Sequence, residues 1–136
     1  MAQKNKLDFT DVMKRLEKAK STLPQQLGNQ AVKFFVANFN KESWEGAKWK
    51  EVQRRMTETR GTASDRTRGI LKGKTRHLYS SLKNSLRVAN WKQIVLGIDV
   101  PYAEKQNKDR QYIGDNKELH AMQMKLINKE ILGCFK

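Results

Sequence analysis

The stretch Gly69-Ile-Leu-Lys-Gly73-Lys74-Thr75 comes within one residue of the phosphate-binding loop G-x-x-x-x-G-K-[ST]. In that loop a buried strand delivers glycine-rich backbone to a helix N-terminus. Its N–H groups then surround one phosphate and the Lys reaches the next. Here the loop is one residue short. The residues before it, Thr62-Ala-Ser-Asp-Arg-Thr-Arg68, have no strand character, and no later apolar strand ends in a metal-binding Asp. The near-match is read as a decoy, and no nucleotide or other cofactor is expected.

The remaining chemistry-bearing residues are scattered. His77 and His120 stand far apart, with no Cys or carboxylate cluster at ligand spacing, so both read as surface or packing residues rather than metal ligands. Cys134 lies near the end of the chain without a fixed histidine partner, which argues against a nucleophile. Asp99 and Glu104 would need the fold to pair them before they could work as a glycosidase-like dyad, and nothing in the sequence favours that. The chain reads as one that makes and breaks no bonds.

What it does carry is charge. Lys and Arg number 28 against 14 Asp and Glu, for a net +14, a balance that favours a polyanionic neighbour, most simply nucleic acid. Within residues 48–76 stand ten cations: Lys48, Lys50, Arg54, Arg55, Arg60, Arg66, Arg68, Lys72, Lys74 and Arg76. Only three acids (51, 58 and 65) oppose them, so half of the excess falls in this strip. A charge run is usually a solvated surface. This one is lopsided for that purpose, and each phosphate it neutralised would release counterions without any base being read. Trp44 and Trp49 flank the strip and are candidates for base stacking, for core or for a subunit interface. No helix-turn-helix, zinc-finger or RNA-recognition signature is present.

The elements that must hold these residues can be read from periodicity. At 136 residues the chain has the size of one domain, and the expectation is a single domain over 1–136. A 38% apolar share beside 31% charge implies a thin core. Three Trp, five Phe and three Tyr nonetheless supply enough bulk to fold. Residues 7–39 read as helix, with Phe9, Val12, Leu16, Ala19 and Leu23 on one face and Leu27, Ala31, Phe34, Phe35 and Phe39 continuing the stripe. Pro24 is expected to divide or bend it near Thr22. From Gln53 to Gly69 only Met56 and Ala63 are apolar, so a basic, mobile loop is expected at about 53–69.

A short helix follows over 75–84, with Leu78 and Leu82 on one side. Leu86 and Val88, then Ile94, Leu96, Ile98 and Val100, alternate across a polar turn as a hairpin with one buried face, ended by Pro101. Residues 106–111 read as a charged loop. Asp115 and Glu118 have capping-box spacing before a last helix of about 116–131. The wide stripe of that helix, with Met124 and Ile131 on it, implies cover from the sheet and from another subunit. The fold class is α+β: long N-terminal helices and a C-terminal helix packed on a small antiparallel sheet. No segment is long and apolar enough to span a membrane. No apolar run follows the first lysines, so no secretory signal is expected, and the single cysteine suits a reducing compartment.

Read together, several stretches resemble one family. Ile70-Leu71 followed by Thr75-Arg-His-Leu78-Tyr-Ser-Ser81-Leu82 resembles an I-L lead and the T-G-x-L-x-x-S-I/L segment of the phage virion morphogenesis (tail completion) family, which includes the G protein of Mu-like phages. Gly97-Ile-Asp-Val-Pro101-Tyr102-Ala103-Glu-Lys-Gln106-Asn107 is similar to its G-x-x-x-P/x-Y-A-x-x-H-N element, and Arg110-Gln-Tyr112-Ile113-Gly114 to R-P/x-F-L/I-G. The likeness spans roughly residues 7–132. Arg76 stands where the family has Gly, Gln106 where it has His, and a Gly/Pro-rich loop shrinks to Lys108-Asp109. The resemblance implies a structural protein of tail completion or head-tail joining, with no enzyme activity. Such a protein would work in the bacterial host cytoplasm during assembly and at the virion neck or tail end. The resemblance further implies a homo-oligomer, as a ring, with phage connector and tail proteins as partners. Trp44, Trp49, Met124 and Ile131 would lie at subunit interfaces, and the strip 48–76 would face the DNA channel or a neighbour. The alternative is a protein that binds nucleic acid non-specifically through that strip.

Overall fold

The structure, a computed structural model, describes residues 8–51, 69–72 and 77–136. The expected loop at 53–69 lies outside the described residues, except for Gly69.

The first element is α1, Phe9–Lys41, a helix of 33 residues. Asp8 caps it by accepting from the Thr10 N–H at 2.9 Å. Glu42 ends it in the left-handed conformation, at φ 56°, with its N–H turned back to the Asn38 and Phe39 carbonyls. Pro24 does not divide it: the helix runs through the proline as one element. The ring removes one backbone bond, worth about 3 kcal/mol in a helix interior, but the burial around it outweighs that. Ala19, Leu23, Gly28 and Ala31 are all buried on the same face as Pro24. Phe9, expected on this face, is 71% exposed.

After α1 come β1, Ser43–Trp44, and β2, Ala47–Lys48, a minimal antiparallel hairpin. Its two turn residues, Glu45 and Gly46, both have positive φ, at 48° and 85°. That is the geometry of a tight hairpin turn, and glycine accepts it without strain. Helix α2, His77–Lys83, buries Leu78 and Leu82 as expected. Strands β3, Leu86–Ala89, and β4, Ile94–Leu96, pair antiparallel with Leu86 opposite Leu96 and Ala89 opposite Ile94. Asn90 closes their turn, its Oδ1 accepting the Lys92 and Gln93 N–H groups, each at 2.9 Å.

This second hairpin is shorter than its alternation implies. A bulge lies between Leu86 and Val88, and residues 97–100 leave the ladder. They are held instead by Gly97 N–H to the Ser85 carbonyl at 2.7 Å, by Asp99 N–H to Ser81 Oγ at 3.1 Å, and by the Arg87–Asp99 ion pair. Nor does one face bury cleanly: Ile94 and Val95 are both partly open to solvent.

Residues 106–111 are largely helical rather than loop. Residues 106–109 belong to α3, Ala103–Asp109, a short charged helix that buries only Ala103. The last helix is α4, Lys117–Gly133. Its cap is Asn116, not Asp115: Asn116 Oδ1 accepts from Glu118 N–H at 2.9 Å and Leu119 N–H at 3.2 Å. Asp115 faces His120 instead.

The fold is therefore α+β, with two separate two-stranded sheets among the described residues. The second hairpin lies on the middle of α1, where a Cβ at Gly28 would sit 2.8 Å from Leu86 Cδ1. Helix α4 lies chiefly along α1 rather than on a sheet. It runs antiparallel, since Arg15 reaches the Cys134 and Lys136 carbonyls while Gln30 reaches that of Met122.

The main core gathers Phe34, Phe35 and Phe39 of α1 with Trp49, Ile70, Leu78, Leu82, Tyr112 and Leu119. Phe39 is its hub, fully buried. Its ring centroid lies 5.4 Å from that of Trp49, 5.5 Å from Tyr79 and 5.6 Å from Tyr112. No helix among the described residues is long and apolar enough to cross a membrane.

Candidate functional site

Of the ten cations in the basic strip, Lys48, Lys50 and Lys72 are described; Arg54, Arg55, Arg60, Arg66, Arg68, Lys74 and Arg76 lie outside the described residues. Lys48 and Lys50 are exposed. Lys72 is committed within the chain. Its Nζ donates to Asn40 Oδ1 at 2.7 Å and stands 4.6 Å above the centre of the Tyr79 ring. It fastens the 69–72 turn to α1 and α2, so it is not a side chain held out toward a polyanion.

The same turn settles the near-match to a phosphate loop as far as it is described. Ile70 is 1% exposed and belongs to the core. Its N–H, which a phosphate cradle would need, donates to a Glu42 carboxylate oxygen, and the Lys72 N–H donates to the Gly69 carbonyl. These amides are occupied by the protein itself.

The two tryptophans also turn inward. Trp49 is buried, edge-on to Phe39, and its Nε1–H donates to the Gln111 carbonyl at 2.8 Å. Its ring and its polar tip are both spent on the monomer: of the roles open to it in the sequence, Trp49 takes that of core, in place of an interface or base stacking. Trp44 is half-buried, stacked on Phe35 with ring planes 13° apart.

Helix α4 supplies what the tryptophans do not. Leu119 is its one buried residue. Ile131 is half-buried, while Met124 is 54% and Leu132 62% exposed. Beyond the helix Phe135 is also exposed, as are Phe9 and Met13 in the first turns of α1. The Arg15 side chain bonded to the last carbonyls brings these two helix ends together. Phe9, Met13, Leu132 and Phe135 thus stand at one end of the α1–α4 layer, uncovered in the monomer. Periodicity implied a wide stripe on α4 but could not locate this end, because it depends on which way α4 runs along α1.

Hydrogen bonds tie the stretch 103–113 together and to the segment after the first hairpin. Asn107 Oδ1 accepts the Tyr112 and Ile113 N–H groups at 3.0 and 3.2 Å. Tyr112 donates its hydroxyl to the Ala103 carbonyl at 2.9 Å, and Arg110 Nε donates to the Lys50 carbonyl at 2.8 Å. Tyr112 is 1% exposed. Burial first, and the Tyr102 hydroxyl second, push its pKa up to about 12.

The scattered chemical groups are not brought together. Asp99 pairs with Arg87 and Glu104 with Lys108, so each carboxylate faces a cation rather than the other. His120 sits beside Asp115. Cys134 is buried, its Sγ donating to the Glu130 carbonyl. Among the described residues no group of three or more His, Cys, Asp or Glu is arranged to hold a metal ion. No protein-family model, curated protein or solved structure matches this chain.

Proposed function

We propose that this chain is a structural protein of phage or prophage virion assembly, of the tail completion or head-tail joining kind, which works by self-association and docking. The observation that carries the reading is the uncovered apolar surface of the α1–α4 layer, where Phe9, Met13, Met124, Leu132 and Phe135 are each between 45% and 71% exposed. Leaving such side chains in water forgoes burial worth roughly 25 cal/mol per Å². Large apolar side chains left open on several turns of two packed helices are candidates for a protein contact. Subunits of a closed ring need such surfaces on every copy. The motif resemblance supplies the assembly context.

Sedimentation velocity over a range of concentrations tests it. Discrete, closed oligomers that form as concentration rises are expected, with little change on adding duplex DNA at physiological salt.

A second reading keeps the basic strip as a non-specific contact with DNA, and it is favoured by the exposure of Lys48 and Lys50 at its start. Reversing the charge of Arg54, Arg55, Arg66 and Arg68 together is then expected to leave the monomer's melting unchanged. It should abolish a salt-dependent DNA affinity whose slope reports the phosphates neutralised. A monomer that binds DNA strongly and never oligomerises would replace the assembly reading with this one.

A further inference from the structure

The hairpin of β3 and β4 has two outer edges, and they are unlike. The β3 edge carries the bulge between Leu86 and Val88 and the exposed Arg87. Bulges and charges are the devices that keep other strands off an edge. The β4 edge has neither. From Ile94 it reads Ile-Val-Leu-Gly-Ile98, without a charge or a proline. Ile94 is 37% and Val95 38% exposed. Neighbours on a strand point to opposite faces, so apolar surface is open on both sides of this edge.

The ladder fixes which backbone groups point outward along β4. Asn90 N–H donates to the Gln93 carbonyl at 3.0 Å, and Gly97 N–H to the Ser85 carbonyl at 2.7 Å. Antiparallel partners alternate between pairs that exchange hydrogen bonds and pairs that do not. Between those two bonds Val95, opposite Val88, takes the bonded position, while Ile94 and Leu96 take the others. The N–H and C=O groups of Ile94 and Leu96 are therefore directed away from β3. Among the described residues no further strand meets them, because the sheet ends at β4.

That spacing is its own complement. A second β4 laid antiparallel along the first, with Ile94 opposite Leu96, makes a pair of N–H···O=C bonds at each end. The two Val95 residues then face each other at the centre as a non-bonded pair, the closer kind. Gln93 faces Gly97 and Lys92 faces Ile98, so no cation meets a cation. A strongly acidic or basic foreign strand would find no opposite charge along this edge.

We propose that β4 pairs with β4 of a second copy about a two-fold axis, joining two hairpins into one four-stranded antiparallel sheet. The pairing rests on the assembly reading and deepens it. Strands of three residues bury far less than the roughly 1,200 Å² of a stable interface. The strand contact therefore adds to the α1–α4 surface and does not hold copies together alone.

The test uses the full chain at concentrations where sedimentation shows the parent as an oligomer. Val95→Cys is oxidised with diamide beside Lys92→Cys and the parent, whose one thiol, Cys134, is buried. Facing residues of a non-bonded pair have Cβ atoms about 4.5–5.5 Å apart, close to disulfide reach. In this register Lys92 stands roughly 20 Å from its copy. Val95→Cys is expected to form a disulfide-linked dimer at least tenfold faster than Lys92→Cys, with no linked dimer from the parent. In a second arm, Val95→Lys and Val95→Glu each place like charges face to face and should weaken association roughly tenfold. An equimolar mixture places Lys opposite Glu and should restore it. The pairing alone is overturned if the parent associates while Val95→Cys links no faster than Lys92→Cys. A mixture no stronger than its separate components overturns it as well, and a neutral foreign strand as the true occupant would give both results. A parent monomeric at every concentration overturns the assembly reading and the pairing with it.

Discussion

The Trp49 indole N–H donates to the Gln111 carbonyl at 2.8 Å, joining the segment that leaves the first hairpin to the segment that enters the last helix. The bond spans 62 residues of sequence and seats the indole against Phe39 at the centre of the core. Trp49 is thereby a residue of the monomer's stability.

Trp49→Phe keeps a six-membered aromatic ring but removes the donor and the fused pyrrole ring, leaving the Gln111 carbonyl short of a partner and a small void beside Phe39. The expected loss is about 1–3 kcal/mol of unfolding free energy, measured by urea denaturation, with oligomer formation unaffected at temperatures where the variant is folded. An interface tryptophan would show the reverse pattern, with stability retained and association lost.

Tyr112 makes stability depend on alkaline pH. Its folded pKa of about 12 lies above the ordinary value of 10.0. The protonated hydroxyl is thus favoured in the fold. The stabilisation is complete below the ordinary value and is lost as pH rises toward the folded one. Thermal melts of the parent should fall between about pH 10 and 12 more steeply than those of Tyr112→Phe. The variant also starts lower at neutral pH by about 1 kcal/mol for the missing bond to Ala103. Parallel pH profiles in the two proteins would contradict this.

Pro24 is the residue the helix carries at a cost. Pro24→Ala restores the N–H that should meet the Lys20 carbonyl, a gain of about 3 kcal/mol in a helix interior. It gives up part of a buried ring and some restriction of the unfolded chain. A net stabilisation of about 1–2 kcal/mol is expected in urea melts. A destabilised variant would mean that α1 needs the proline for its packing.

How much of this the sequence reveals follows from how each element is stabilised. The face of α1 is plain because Ala19, Leu23, Ala31, Phe35 and Phe39 recur at helical spacing and are in fact buried. Of the break or bend expected at Pro24, the break does not occur, since the burial around the ring outweighs a local preference. The second hairpin announces itself by alternation, but its length does not, because bonds from Ser81 and Ser85 take over where the ladder stops. Helix α3 has no apolar period at all: within AEKQNKD only Ala103 meets the core. The first hairpin has strands of two residues, too short for any alternation to register. The seam between α1 and α4 is illegible for a different reason. Gln30 and Asn38 are ordinary helix-surface residues until Glu118 and Met122 are laid opposite them.

The central claim is that the uncovered apolar end and face of the α1–α4 layer join this chain to copies of itself. The direct measurement is sedimentation equilibrium of the parent beside the double variant Met124→Glu, Leu132→Glu, both positions being more than half exposed, which keeps the folding cost small. The account predicts that the parent forms oligomers with rising concentration while the variant stays monomeric with the same Tm. A parent that remains monomeric at every concentration, or a variant that associates as the parent does, would contradict it.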